Sequence, residues 1–255
     1  MEEFMPVLHK HKRVLSALAL LLAVILIFWT VNSPVLVGAS ASQRQLPVYC
    51  VQRQDKVAAI SFDAAWGNED TQTLIDILNK YGIHATFFVV GSWVEKYPES
   101  VKALSDNGNE VMNHSSSHAH FSQLTAEQIK ADITSCNDRI AAITGTPPTL
   151  FRCPYGEYDD HVITAVREMG MEPIQWDVDS LDWKGTSAAE ITQRVLQRVK
   201  PGSIVLFHNA AEHTPEALPD ILEALIADGY TIVPISQILL EGDTYIDNTG
   251  MQCRT

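Results

Sequence analysis

Basic residues are scarce in this chain. Eighteen Lys and Arg stand against 31 Asp and Glu, a net charge of −13. Phosphate contacts need clustered Lys and Arg, so a nucleic-acid binder is excluded. Cysteine is scarce too, with four in 255 residues. No two form a C-x-x-C pair, which argues against a thiolate zinc site. Neither a G-x-G-x-x-G nor a Walker pattern occurs, so nothing supports a nucleotide site. Repeats and low-complexity stretches are also missing. What remains is an ordinary globular composition, 46% hydrophobic and 19% charged, with enough chain for one large domain.

Apolar sequence is concentrated near the N-terminus. Lys10, His11, Lys12 and Arg13 precede "VLSALALLLAVILIFWTV" (14–31), which carries no charge. At 1.5 Å per residue this run spans roughly 27 Å, close to the hydrocarbon thickness of a bilayer. The basic residues before it would hold that end in the cytoplasm and send the rest outside. Two readings fit. A cleaved signal peptide is consistent with Ala39-Ser40-Ala41, whereas the length and Trp29 near the outer boundary favour an uncleaved anchor. The expected organisation is a basic tail (1–13), the apolar segment (14–31), a linker (32–55), one domain (56–240) and a C-terminal tail (241–255). On either reading the domain faces outside, at the cell membrane or secreted after Ala41. There Cys50 and Cys253, which flank the domain, are placed to tie its ends together if oxidised. Cys136 lies in a helical pattern and reads as a small core residue.

From Lys56 onward, short apolar runs alternate with amphipathic ones. Strands are expected at 57–62, 85–90, 110–113, 149–151, 173–178, 203–208 and 230–235. Helices are expected at 71–82, 94–108, 125–145, 159–170, 187–199 and 215–229. Thr125 with Gln128 and Ser187 with Glu190 have capping-box spacing. Continuous apolar strands between amphipathic helices imply a parallel sheet covered by helices. About seven units in this length suggest an α/β fold of the distorted (β/α) barrel kind, with an open doubly wound sheet as the alternative.

In a parallel barrel, chemistry gathers at the C-terminal ends of the strands. Those ends carry Asp63, His114, Arg152, the carboxylates of "DVDSLDW" (177–183) and His208. Each has an ordinary explanation taken singly. Asp63 would cap a turn; His114 and His118 would lie in a wet, Ser-rich loop. Arg152 would be a surface ion pair, Trp183 a core aromatic and His208 a satisfied core histidine. Jointly these explanations weaken, because the topology delivers all of them to one rim.

The ordered stretches "SFDAAWG", "HSSSH", "RCPYG", "DVDSLDW" and "LFH" resemble the motifs of the polysaccharide deacetylases (carbohydrate esterase family 4, the NodB-homology domain). The resemblance covers about Lys56 to Leu240. Together with the apolar segment, "FDAAWG" is most similar to the sporulation-associated branch of spore-forming bacteria. It implies a divalent metal, usually zinc, and removal of N-acetyl groups from peptidoglycan or chitin-like sugars. Carried over residue by residue, Asp63 is the base and Arg152 holds it. His114 and His118 are metal ligands. The N–H of Tyr155 stabilises the oxyanion, and Trp183 with Leu206 forms the acetyl pocket. His208, supported by Asp182, is the acid. Cys153 shapes the third motif.

One position departs from the pattern. The family's first motif has two adjacent aspartates, the second a metal ligand, and Ala64 stands at that second position. Two imidazoles alone make a weak zinc site, since catalytic zinc normally has three protein ligands. Asp63 would then double as ligand, or Glu69 or Asp70 would fold back. His114 and His118 would share a face if their loop turns helically, and His120 would point away. Two other readings remain: a glycan-binding protein that has lost turnover, and a metal-free hydrolase using Asp63 and His208. Oligomeric state is not legible.

Overall fold

The computed structural model describes residues 5–31 and 44–255; within the first helix, side chains are described at 15, 16 and 18–29. Two compact units result, Met1–Arg44 and Gln45–Thr255. In the first, α1 (Met5–Val31) contains the uncharged run. Its described large apolar side chains, from Leu15 to Trp29, are exposed. Among the described residues, no helix is both long and apolar enough to cross a membrane.

The second unit is an α/β fold around one curled sheet. Its strands are β2 (Val57–Ala64), β3 (Thr86–Val89), β4 (Glu110–Asn113), β5 (Leu150–Phe151), β6 (Glu172–Pro173), β7 (Val178–Asp179), β8 (Ile204–His208) and β9 (Thr231–Val233). Their order is β6-β5-β4-β3-β2-β8-β7, with β9 beside β2, and every pairing is parallel. Helices α2 (Thr71–Lys80), α3 (Gly91–Lys96), α4 (Pro98–Asp106), α5 (Ala126–Thr144), α6 (Asp160–Glu168), α7 (Ala188–Leu196), α8 (Thr214–Ala227) and α9 (Ile235–Ile238) connect them. Both expected capping boxes form, at Thr125 and at Ser187.

The period of two along β2 decides what faces where. Ala58, Ile60, Phe62 and Ala64 join the cluster that includes Leu74, Ile75 and Leu78 of α2. Ala59 joins the inner cluster with Phe88, Ile174 and Ile204. Asp63 shares the inner parity and so stands at the mouth of the sheet.

Three elements depart from the sequence reading. The strand expected at 173–178 is two short strands on opposite edges, β6 against β5 and β7 against β8. Residues 174–177 therefore carry the chain across the gap between the edges, and the sheet is a half-barrel without a continuous closing strand. The helix expected at 94–108 breaks between Lys96 and Pro98, because proline cannot continue α3 and instead opens α4. The third departure is at the termini. The stretch read as a linker, 32–55, contains β1 (Cys50–Val51), and the stretch read as a tail, 241–255, contains β10 (Thr244–Ile246) and β11 (Met251–Arg254); residues 32–43 lie outside the described ones. These three strands form a second sheet, and the buried Val48, Cys50 and Val51 explain why the segment is ordered. Val48 N–H donates to Pro173 O (2.9 Å) and Val51 N–H to Gly202 O (2.9 Å). The segment thus stitches the β6 edge to the start of β8. Cys50 and Cys253, on adjacent strands, are buried free thiols rather than a disulfide. Cys136 is buried in the core, as expected.

Gly202 makes this stitch possible. Its φ is +88°, and a Cβ there would overlap the carbonyl oxygen of Val51. Gly202→Ala is expected to destabilise the folded unit by at least about 2 kcal/mol, through strain and a displaced first strand. Urea denaturation followed by circular dichroism checks this; an unchanged midpoint would refute the stitch.

Candidate active site

The expected residues converge at the C-terminal ends of the parallel strands around a cavity of about 410 Å³. Asp63, His114, His118, Tyr155, Trp183, Leu206 and His208 all line it. Arg152 and Asp182 stand behind, buried at 0% and 2% exposure. Arg152 is therefore no surface ion pair, and Trp183, 52% exposed, is no core aromatic.

On one side a buried guanidinium organises everything near it. Arg152 Nη1 donates to Asp63 Oδ1 (2.8 Å) and Nη2 donates to Gln175 O (3.1 Å). Its charge lies over the faces of Phe88 (4.1 Å) and Trp176 (5.5 Å). Its backbone carbonyl lies 2.8 Å from His114 Nδ1. A carbonyl can only accept, so Nδ1 carries the proton and the lone pair of His114 is on Nε2, 3.5 Å from Asp63 Oδ2. Burial raises the Asp63 pKa, but Arg152 and the nearby imidazoles outweigh it and hold the carboxyl below its ordinary value. Burial pushes His114 down, and burial with the neighbouring His114 brings His118 down to about 4. Both rings are thus neutral near pH 7, the form that ligates metals.

The loop "HSSSH" pairs the two imidazoles without a helical turn. Ser115 and His118 have φ of +71° and +54°. Ser115 N–H donates to Asn113 Oδ1 (2.6 Å), His118 N–H to Ser115 Oγ (2.8 Å), and Ser117 Oγ to Asp132 Oδ2 (2.7 Å). The serines are the framework of the turn. His114 and His118 end with ring centroids 5.1 Å apart. His120 is turned away, bonded to Glu157 (2.6 Å) and stacked on Tyr155.

Across the cavity, His208 Nδ1 lies 2.8 Å from Asp182 Oδ1. Asp182 Oδ2 accepts from His208 N–H (2.8 Å) and Thr214 Oγ (2.7 Å). Burial lowers the His208 pKa, but the Asp182 bond and the charges of Asp63 and Asp182 raise it above the ordinary imidazole value. A carboxyl with a lowered pKa thus faces an imidazole with a raised one across the cavity.

A cation fits this donor set as a partial site. His114 Nε2 and the His118 ring offer neutral nitrogens, and Asp63 Oδ2 lies 3.5 Å from the first of these. Ala64, fully buried in the outer cluster, does not line the cavity. Among the described residues, no three His, Cys, Asp or Glu side chains form a ready metal cage. Asp70 is engaged elsewhere, accepting from Ala210 N–H (2.8 Å).

Several contributors were not singled out from the sequence. Trp66 and Trp176 line the cavity. Asn209 accepts from Ala65 N–H (3.2 Å) and donates to Gly67 O, fixing the loop after β2 to the residue after His208. Its adjacency to His208 in "LFHN" was the available signal.

The family model for polysaccharide deacetylase matches residues 51–174. PdaA of Bacillus subtilis, a peptidoglycan-N-acetylmuramic acid deacetylase, is 31% identical over 199 residues, covering 76% of this chain and 75% of that protein. This chain belongs to the polysaccharide deacetylase family. PdaC of Bacillus subtilis, also a peptidoglycan-N-acetylmuramic acid deacetylase, is 37% identical over 188 residues; 74% of this chain matches 40% of its length. Among solved structures, a CE4 family pseudoenzyme from Bacillus anthracis superposes with a TM-score of 0.73 at 32% identity, covering 75% of this chain and 68% of that one.

The Arg152–Asp63 pair yields a stability prediction. Arg152→Met leaves a buried carboxylate unpaired and is expected to cost about 3–5 kcal/mol near pH 7. Without Arg152, burial would lift the folded pKa of Asp63 above its unfolded value. A raised folded pKa gives stability that is lost as pH rises, so the deficit should shrink toward pH 4.5. Asp63→Asn added to Arg152→Met should remove that pH dependence. Urea titrations at pH 4.5 and 7.5 read both effects.

Proposed function

We propose that the chain is a hydrolase that removes N-acetyl groups from glycan strands of the cell wall, peptidoglycan being the favoured substrate. The opposition of a depressed carboxylate (Asp63) and a raised imidazole (His208) across one cavity carries this reading. The peptidoglycan deacetylases among its relatives support the substrate class. "FDAAWG" supports a role in spore formation, and the uncharged run of α1 supports attachment of the unit to a membrane.

Asp63, held by Arg152, takes a proton from the attacking water. The acetyl methyl sits against Leu206 and Trp183, and the Tyr155 N–H donates to the developing oxyanion. His208, its charge supported by Asp182, protonates the departing sugar nitrogen. A divalent cation at His114 and His118, with zinc the first candidate, would polarise the acetamide carbonyl and acidify the water. Purified protein with added zinc or cobalt should release acetate from N-acetylglucosamine oligomers or peptidoglycan fragments. No release from either substrate would sink the proposal. Release that survives a chelator would favour the metal-free variant.

Ala64 motivates a second reading, a glycan binder without turnover. Position 64 holds no ligand, and the B. anthracis relative is itself described as a pseudoenzyme, a mutant of which has restored enzymatic activity. On that reading the unmodified chain binds oligosaccharide without releasing acetate, and Ala64→Asp gains zinc binding and activity.

The pH dependence follows from the two pKa directions. The acid limb of kcat/KM should lie below the ordinary carboxylate range, and the alkaline limb should reflect His208, above the ordinary imidazole value. Asp182→Asn removes the bond and charge that raise His208. It should therefore move the alkaline limb down by about one pH unit or more. An alkaline limb that stays in place would take His208 out of the acid role.

A further inference from the structure

Four rings run in sequence from the buried side of the cavity toward the surface. His114 meets His118 at 5.1 Å and 74°, and His118 meets Tyr155 at 4.5 Å and 70°. His120 then lies nearly flat on Tyr155, at 4.5 Å and 14°. Neither burial nor backbone preference accounts for where the Tyr155 ring stands. It is 61% exposed, and its φ of +59° is uncommon for any residue but glycine.

One carboxylate ties the two loops that carry these rings. Glu157 Oε2 accepts from His120 Nδ1 (2.6 Å), and Oε1 accepts from Ser122 Oγ. Between those two donors stands Phe121, fully buried and packed on Phe151 at 5.2 Å, so segment 120–122 is anchored in the core. Glu157 itself closes the turn that presents Tyr155. Its N–H donates to Pro154 O (3.1 Å), and the preceding Gly156 O accepts from Gln175 Nε2 (3.0 Å). A circuit results, from His118 through Tyr155 and His120 to Glu157 and back along the chain to Tyr155. It depends on ring contact and hydrogen bonding, since Nδ1–H donates to a carboxylate whichever state the other ring nitrogen is in.

We propose that His120 and Glu157 are positioning residues, a clamp that holds the Tyr155 ring against His118 and so fixes His118 and the Tyr155 backbone relative to each other. The consequence for turnover rests on the deacetylase reading, in which His118 binds the cation and the Tyr155 N–H meets the oxyanion. The clamp itself belongs to the folded chain with or without turnover. Loosening it leaves both groups present but misplaced, which should lower kcat more than it changes KM.

The test uses the full chain with His and Tyr isotopically labelled and no added metal, circular dichroism confirming the fold of each variant. The nuclear Overhauser contact between the Tyr155 and His118 rings should be present in the unmodified chain and lost in His120→Ala and in Glu157→Ala. Glu157→Gln keeps the shape and an acceptor oxygen, and should retain it. Cobalt(II) titration should show about a tenfold loss of affinity in both alanine variants, and a loss under about threefold in Glu157→Gln. Where acetate release is measurable, kcat should follow the same order with KM nearly constant. A folded Glu157→Ala variant that keeps the ring contact would overturn the proposal, as would its absence from the unmodified chain. Equal loss of the contact in Glu157→Ala and Glu157→Gln would do the same. Should the unmodified chain bind no cobalt, the ring contact alone decides. Ring contacts that follow the expected order in a chain releasing no acetate would sink the deacetylase reading and leave the clamp standing.

Discussion

A guanidinium fully removed from water holds this site together. Burying Arg152 is costly unless its charge is compensated. Asp63 supplies the counter-charge, the Gln175 carbonyl takes a second bond, and the faces of Phe88 and Trp176 cover the plane. Nε alone has no hydrogen-bond partner among the described residues. The arrangement fixes Asp63 and, through the Arg152 carbonyl, also the tautomer of His114. One residue thus sets the charge of the Asp63 carboxyl and the direction of the neighbouring lone pair.

His208 and Asp182 form a separate unit with opposite bias. Both oxygens of Asp182 are engaged, by the His208 ring, the His208 and Trp183 N–H groups and the Thr214 hydroxyl. The carboxylate therefore has little freedom to turn from the imidazole. Asp63 also raises the His208 pKa across the cavity. Each side accordingly favours the charged state of the other.

Much of this was readable in the chain because strand ends are readable. Apolar runs ending in Asp63, His114, Arg152 and His208 marked the rim, and parallel topology alone brought them together. The half-barrel was harder to see. "PIQWDV" has the pattern of one strand, but Val48 and Ile204 each take part of its backbone bonding, so it serves two edges. That competition comes from residues distant in sequence, as does the pairing of β1 with β11. The loop "HSSSH" misled differently: i,i+4 spacing suggested a helical turn, whereas serine and aspartate side chains outcompete helical bonding there. Trp66 lies within "FDAAWG", yet its place beside His208 follows only from the pairing of β2 with β8.

Ala64 sharpens the chemistry of what remains. With Arg152 on Oδ1, Asp63 has one oxygen, Oδ2, turned toward His114. An oxygen that ligates a cation is a poor proton acceptor, because the bound charge lowers its basicity. In a site with a separate carboxylate ligand the two duties fall on different residues. Here they compete for one atom, so tighter cation binding through Asp63 weakens the base, and a freer base loosens the cation. A working enzyme must therefore hold its cation chiefly on His114 and His118, with substrate or water completing the coordination. A chain that recruits Asp63 as a ligand gives up that proton acceptor, and turnover with it.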